Sequence, residues 1–242
     1  MARRKLAVIG HSTASWAGTE VNGSISFIDL LLNHFAFILV AKGVNEGSED
    51  RTLDVLKNID PPDICVIFHS SPQHIYLPSC KRDINIKKFN RAEHVFDPRV
   101  KGVEHYDWDQ GSIPYFTRSQ DVRDTFDEDW IFIQTVMLYK RFLYTPESRQ
   151  NQFYGSLQQI DQYCLAKNIA VIHVPQADNF PPWLKKMKSG KMMPEIAKIA
   201  NDYMGKPGDE VRYPNNVNAE GQTLIYQILA REIEEMIASG KI

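Results

Sequence analysis

The sequence predicts an α/β protein built on a parallel sheet, and three observations carry that prediction. Apolar runs of strand length recur at Leu6–Ile9, Phe35–Ala41, Asp63–Phe68 and Ile169–Val174, each too short for a membrane span or a stable isolated helix. Segments with apolar residues at helical spacing separate the first three of these runs. The first three runs also end in glycine, histidine or serine, the residues of tight turns. Strand, helix, strand, helix, strand in this order implies parallel pairing through helical crossovers.

The first strand is Leu6–Ile9, closed by Gly10, with Arg3, Arg4 and Lys5 before it. Basic residues ahead of an apolar run resemble a signal peptide, but this run breaks at Gly10-His11 after too few residues. Trp16–Gly23 reads as loop, and Ser24 or Ser26 caps a short helix running to Phe35. Phe35–Ala41 is then a buried second strand, ended by Lys42-Gly43. Gly47-Ser-Glu-Asp50 opens a second helix with Leu53, Val55, Leu56 and Ile59 on one face, and Pro61-Pro62 stops it. Asp63–Phe68 is the third strand and runs into His69-Ser70-Ser71-Pro72.

From Gln73 to Val122 no periodicity survives, and this stretch reads as an insertion after strand three. It carries His74, Tyr76, Cys80, Arg82, His94, His105, Tyr106, Trp108 and Tyr115, a mixture suited to a lid or a protein-partner surface. Phe126, Trp130, Ile133, Met137, Leu138 and Phe142 place a long helix over Asp124–Leu143 with one buried face. Thr145-Pro146 caps a further helix near Glu147–Lys167, with Phe153, Leu157, Ile160 and Tyr163/Cys164 inward. Ile169–Val174 is the fourth strand. Trp183–Lys191, with four lysines, reads as the solvated face of a helix. Asn218-Ala-Glu-Gly221 leads into a terminal helix with Leu224, Ile225, Ile228, Leu229, Ile233 and Ile237 inward.

The 242 residues, 43% hydrophobic and 24% charged, fit a single globular α/β domain spanning 1–242. A formal charge of −2 supplies no field to attract nucleic acid. Phe27–Ala41, the most apolar segment, is interrupted by Asp29, Asn33 and His34, so no membrane span is expected. Three widely spaced cysteines, Cys65, Cys80 and Cys164, do not form a disulfide framework and point to the cytoplasm. No Gly-x-Gly-x-x-Gly or P-loop occurs, and no cofactor is expected. His69, His74, Cys80 and Asp83 supply ligand types in no recognised metal pattern, so no metal is expected either.

Open parallel sheets bind their ligands at the carboxyl ends of the strands, which directs attention to Gly10-His11-Ser12-Thr13 and to His69–Gln73. The first of these turns resembles the opening block of the SGNH (GDSL-type) hydrolases, where a nucleophilic serine follows strand one in a Gly-Asp-Ser turn. His11 replaces the aspartate. Asn218, Gly221 and the terminal helix are similar to the family's closing block. The resemblance covers the two ends and the first three strands, about half the chain. It implies a three-layer α/β/α, flavodoxin-like fold with Ser12 as nucleophile and Gly47 as a backbone donor to the oxyanion, Gly43 competing for that role.

Two blocks depart from the family pattern. Its third-block asparagine aligns with Ser71 or Pro72, and proline offers neither an N–H nor a polar side chain. Its last-block histidine and aspartate align with Asn216 and Tyr213, and an asparagine amide cannot exchange a proton at neutral pH. Two readings follow. In the first, the chain is an SGNH-hydrolase-like binding or structural module that keeps the pocket and has lost the triad. In the second, it is a serine ester hydrolase acting on acyl or carbohydrate esters with a relocated base. His69 would be that base, or less favourably His11, with Ser70, Ser71 and Asn216 lining the pocket. His69 stands at the end of strand three, facing the same crevice as Ser12, and His173 joins the region from strand four.

Overall fold

The computed structural model describes residues 3–10, 25–43, 47–77, 82–86, 135–136, 138–140, 142–175, 187–203 and 217–242. Its main sheet has five strands: β1 (Lys5–Gly10), β2 (Ile38–Lys42), β3 (Ile64–Phe68), β6 (Ala170–Val174) and β7 (Gly190–Met192). Between β3 and β6 in the chain come β4 (His74–Leu77) and β5 (Arg82–Asn85), an antiparallel pair apart from the main sheet. The helices are α1 (Phe27–Phe35), α2 (Glu49–Asn58), α3 (Pro146–Ala166), α4 (Pro194–Asp202) and α5 (Ala219–Ala238).

All neighbours in the main sheet are parallel, in the order β2-β1-β3-β6-β7. This is the doubly wound arrangement, in which the chain leaves β1 first to one side and then to the other. Its topological switch point lies between β1 and β3. Because side chains alternate along a strand, each strand feeds two cores. Leu6 and Val8 of β1, Ile64 and Val66 of β3, and Ile172 and Val174 of β6 pack with α1, α4 and α5. Ala7, Ile9, Cys65, Ile67 and Val171 face the other way, onto α2 and α3. The architecture is therefore helix layer, sheet, helix layer. By contacts the chain divides into two compact units, Met1–Asn85 with Glu147–Ile242, and Ile86–Pro146.

The caps set the helix starts. Ser26 accepts from the Asp29 N–H, Ser48 from the Arg51 N–H and Asn218 from the Gly221 N–H, so each leads its helix with an oxygen that satisfies an otherwise orphaned donor. Gly221 is required by packing as well, since a Cβ there would lie 2.6 Å from the Cβ of Tyr203.

The structure corrects several boundaries. Phe35 belongs to α1, which ends where Ala36 turns left-handed at φ 52°, so the second strand starts at Ile38. That strand is not buried. It is an edge paired only with β1, and Ile38 is 45% exposed. The described part of the lysine-rich stretch, 187–191, is not helical: Lys191 lies on β7 and pairs with Glu232 of α5. The carboxylate holds the Lys191 ammonium above its usual range. Within the expected insertion, His74–Leu77 and Arg82–Asn85 form a hairpin, while most of 73–122 lies outside the described residues. Of the helix expected over Asp124–Leu143, the described residues are 135–136, 138–140, 142 and 143. Residues 135, 136, 138–140 and 142 are helical, but Leu138 and Phe142 are 45% and 63% exposed rather than inward.

Cys65 and Cys164 face the α2/α3 core as free thiols, and Cys80 lies outside the described residues. Burial raises the Cys65 thiol well above its ordinary value, with Cys164 adding to the effect, and burial first and Asp161 second push Cys164 up to about 12. Among the described residues, no helix is long and apolar enough to cross a membrane.

Gly10 closes β1 at φ +109°, where a Cβ would lie 2.0 Å from the carbonyl oxygen of Phe68. Neither the conformation nor the space admits a side chain. Gly10→Ala is therefore expected to destabilise the fold by more than about 3 kcal/mol. A urea midpoint within error of the wild type would contradict this account of the β1–β3 join.

Candidate functional site

The end of β3 and the end of β6 are held together by the sheet ladder, with Ile67 opposite His173 and Phe68 opposite Val174. The ladder continues one residue further through the His69 N–H, which donates to the Val174 carbonyl at 2.8 Å. His173 alternates with Ile172 and Val174 and so points to the α2/α3 side of the sheet, the side of Ile67. Two histidines from distant parts of the sequence thus meet beneath the first turn of α2.

Glu49, the first residue of α2, completes the arrangement. One oxygen, Oε1, accepts the Ser70 backbone N–H at 2.7 Å and lies 3.4 Å from the Ser70 hydroxyl. The other, Oε2, lies 3.2 Å from Nδ1 of His69. A carboxylate in the first turn also opposes the positive end of the helix dipole. Glu49 is 1% exposed, His69 3% and His173 0%.

A carboxylate only accepts, so His69 donates from Nδ1, and with a single ring proton it presents Nε2 as an acceptor. Nε2 lies 2.9 Å from Nδ1 of His173, which therefore donates. The remaining nitrogen, Nε2 of His173, is 3.0 Å from the Ser189 hydroxyl and accepts from it. These tautomers are assigned from the hydrogen-bond chain. The two rings lie within 14° of parallel, with centroids 5.2 Å apart. That separation suits rings joined edge to edge by one N–H···N bond rather than packed face to face. The result is a directed line, Ser189 to His173 to His69 to Glu49.

A second network braces the turn after His69. Arg149 of α3 donates from Nε to the Pro72 carbonyl at 2.8 Å and from Nη2 to the His74 carbonyl at 2.6 Å. It also pairs with Asp50 at 2.9 Å, and Asp50 accepts from the Ser156 hydroxyl at 2.5 Å. Ser71 Oγ lies 3.2 Å from Nδ1 of His74. A buried guanidinium is retained because its donors are met by carbonyls and a carboxylate.

The expected residues are therefore distributed as follows. His69, Ser70 and Ser71 stand at the carboxyl end of β3, and Gly47 is buried just before the cap of α2. His11, Ser12, Asn216 and Tyr213 lie outside the described residues, as do Cys80 and the side chain of Asp83. The His69–His173 meeting was readable from the two strand ends. Glu49, Ser189, Arg149 and Asp50 were not singled out by the sequence. Glu49 and Asp50 lie in the first turn of α2, where acidic residues are ordinary, and Ser189 lies among lysines. Among the described residues, no three His, Cys, Asp or Glu side chains are grouped to hold a metal.

Compared with known proteins, the chain matches no family model, no curated protein and no solved structure.

Burial first and His69 second lower the His173 pKa well below its ordinary 6.5. The folded state keeps this ring neutral while the unfolded chain takes up a proton near that value. Stability is therefore complete above about pH 6.5 and falls as the pH drops below it, by up to about 1.4 kcal/mol per unit for one proton. Glu49 and His69 are the titratable partners along this line. In His173→Gln the fall between pH 6.5 and 5 should be shallower than in the wild type, measured by urea unfolding. Equal slopes would remove His173 as the cause. Glu49→Ala should cost about 3 kcal/mol at pH 7, because it strands two buried donors; a change under about 1 kcal/mol would contradict the network.

Proposed function

We propose that the chain is an SGNH-hydrolase-like α/β protein that has kept the carboxyl-end crevice as a binding site and does not run ester hydrolysis through Ser12 and His69. One observation supports this reading above the others. Both ring nitrogens of His69 are engaged, Nδ1 with Glu49 and Nε2 with His173, in a site from which water is excluded. A general base must offer a nitrogen to the nucleophile's hydroxyl. His69 offers none in this arrangement. The sequence adds that Asn216 and Tyr213 stand where the resemblance places the histidine and aspartate of the triad.

The ligand class that the resemblance implies is a small-molecule or carbohydrate ester, bound in this crevice without cleavage by Ser12. The stretch 73–122 supplies the aromatic and polar residues for a protein contact.

The second reading, a working ester hydrolase with His69 as base, draws on a different observation. Glu49 sits on Nδ1 as an orienting carboxylate does in a serine triad. It requires the His69–His173 bond to open so that Nε2 can reach Ser12.

Turnover of p-nitrophenyl acetate by the wild type and by Ser12→Ala separates the two readings. The binding reading expects the two rates to agree within about twofold. A fall of 100-fold or more in Ser12→Ala, in protein with wild-type circular dichroism, would reject it and establish the hydrolase.

A further inference from the structure

The line from Glu49 to Ser189 has one end in the interior and one at the surface. Glu49, His69 and His173 are buried, whereas Ser189, in the turn just before β7, is half-exposed. Its position is fixed from below, because the Ser189 and Lys188 N–H groups both donate to Oδ1 of Asp161 on α3, at 2.7 and 2.9 Å. The hydroxyl donates to Nε2 of His173 at 3.0 Å, which leaves the oxygen lone pairs unshared with that ring.

We propose that Ser189 is a nucleophile, with His173 as its general base and His69 and Glu49 as positioning residues, and that it accepts an acyl group from an ester. The proposal is independent of Ser12 and of the family resemblance. In the step, Oγ forms a bond to the acyl carbon while its proton passes to Nε2 of His173. The Nδ1 proton of that ring moves to Nε2 of His69. The positive charge then rests on the ring whose Nδ1–H faces the Glu49 carboxylate, so His173 accepts a proton without retaining a buried charge. When the tetrahedral adduct collapses, the ester's alcohol leaves and takes back the proton along the same line. Water later releases the acyl group as an acid. With the Ser189 and Lys188 N–H groups committed to Asp161, neither stabilises the oxyanion, and the reaction is a slow acyl transfer.

A fluorophosphonate probe tests this directly, since attack forms the Oγ–P bond and expels fluoride. Intact wild-type protein is labelled at pH 7.5 and the modified residue is located by peptide mass spectrometry. The phosphonyl group is expected on Ser189. Finding no adduct on Ser189 overturns the proposal, whether or not another residue is labelled. An adduct on Ser12 would instead count against the binding reading above, so the two failures are distinguishable. His173→Asn is expected to lower the maximal labelling rate by about 100-fold. Should it not fold, Glu49→Gln, which keeps the side-chain shape, is expected to lower that rate at least tenfold without changing the probe concentration giving half-maximal rate. An unchanged maximal rate in folded Glu49→Gln overturns the relay.

Discussion

The join between α2, the end of β3 and the end of β6 depends on how one buried carboxylate is satisfied. Glu49 costs several kcal/mol to remove from water, and it is tolerated because its two oxygens meet the Ser70 N–H and the His69 ring. Those bonds tie the start of α2 to the residues that follow β3. They also decide the tautomer of His69, and through it the tautomer of His173 and the direction of the Ser189 hydroxyl. A single acceptor thereby sets the polarity of three successive hydrogen bonds.

The parallel sheet makes this possible. Both its faces are covered, so a polar side chain on an interior strand must find its partners within the protein. His173 takes a place in the strand that the alternation would assign to an aliphatic residue, and His69 and Ser189 provide one partner for each of its nitrogens. Arg149 acts similarly on the neighbouring turn, where it donates to the carbonyls of Pro72 and His74. The His69–His74 segment is thus held from α2 by a carboxylate and from α3 by a guanidinium.

The fold was legible where hydrophobic pattern and punctuation agree. Leu6–Ile9 and Asp63–Phe68 carry unbroken apolar stretches and Ile169–Val174 is broken only by His173, while Ser24 or Ser26, Gly47–Asp50 and Asn218–Gly221 mark the helix starts, the first of them resolved to Ser26 by its cap bond. It was less legible where tertiary context wins. The apolar stretch around Phe35 satisfies a helix or a strand equally, and the boundary is set by Ala36 turning left-handed. β7 has three residues, too few for a period, and α4 was missed although Pro194 at its start is a helix signal. The site was half legible for a related reason. Strand ends announced His69 and His173, but the side of the helix on which Glu49 falls, and the return of Ser189 against β6, are long-range facts that no local spacing encodes.

The distances along the chain between the members of this line bear on how the protein reaches its native state. Glu49 and His69 are 20 residues apart, but His69 and His173 are 104 apart, with the whole unit Ile86–Pro146 falling between them in sequence. Closing so long a loop is entropically cheap in its length dependence, since each doubling adds only about 0.6 kcal/mol, so the intervening unit can vary in size with little penalty. It is costly in time, because contacts of high sequence separation form late. A nascent chain that has not yet delivered β6 holds His69 and Glu49 without the second imidazole, and the polar line comes into being only as the sheet gains its fourth strand.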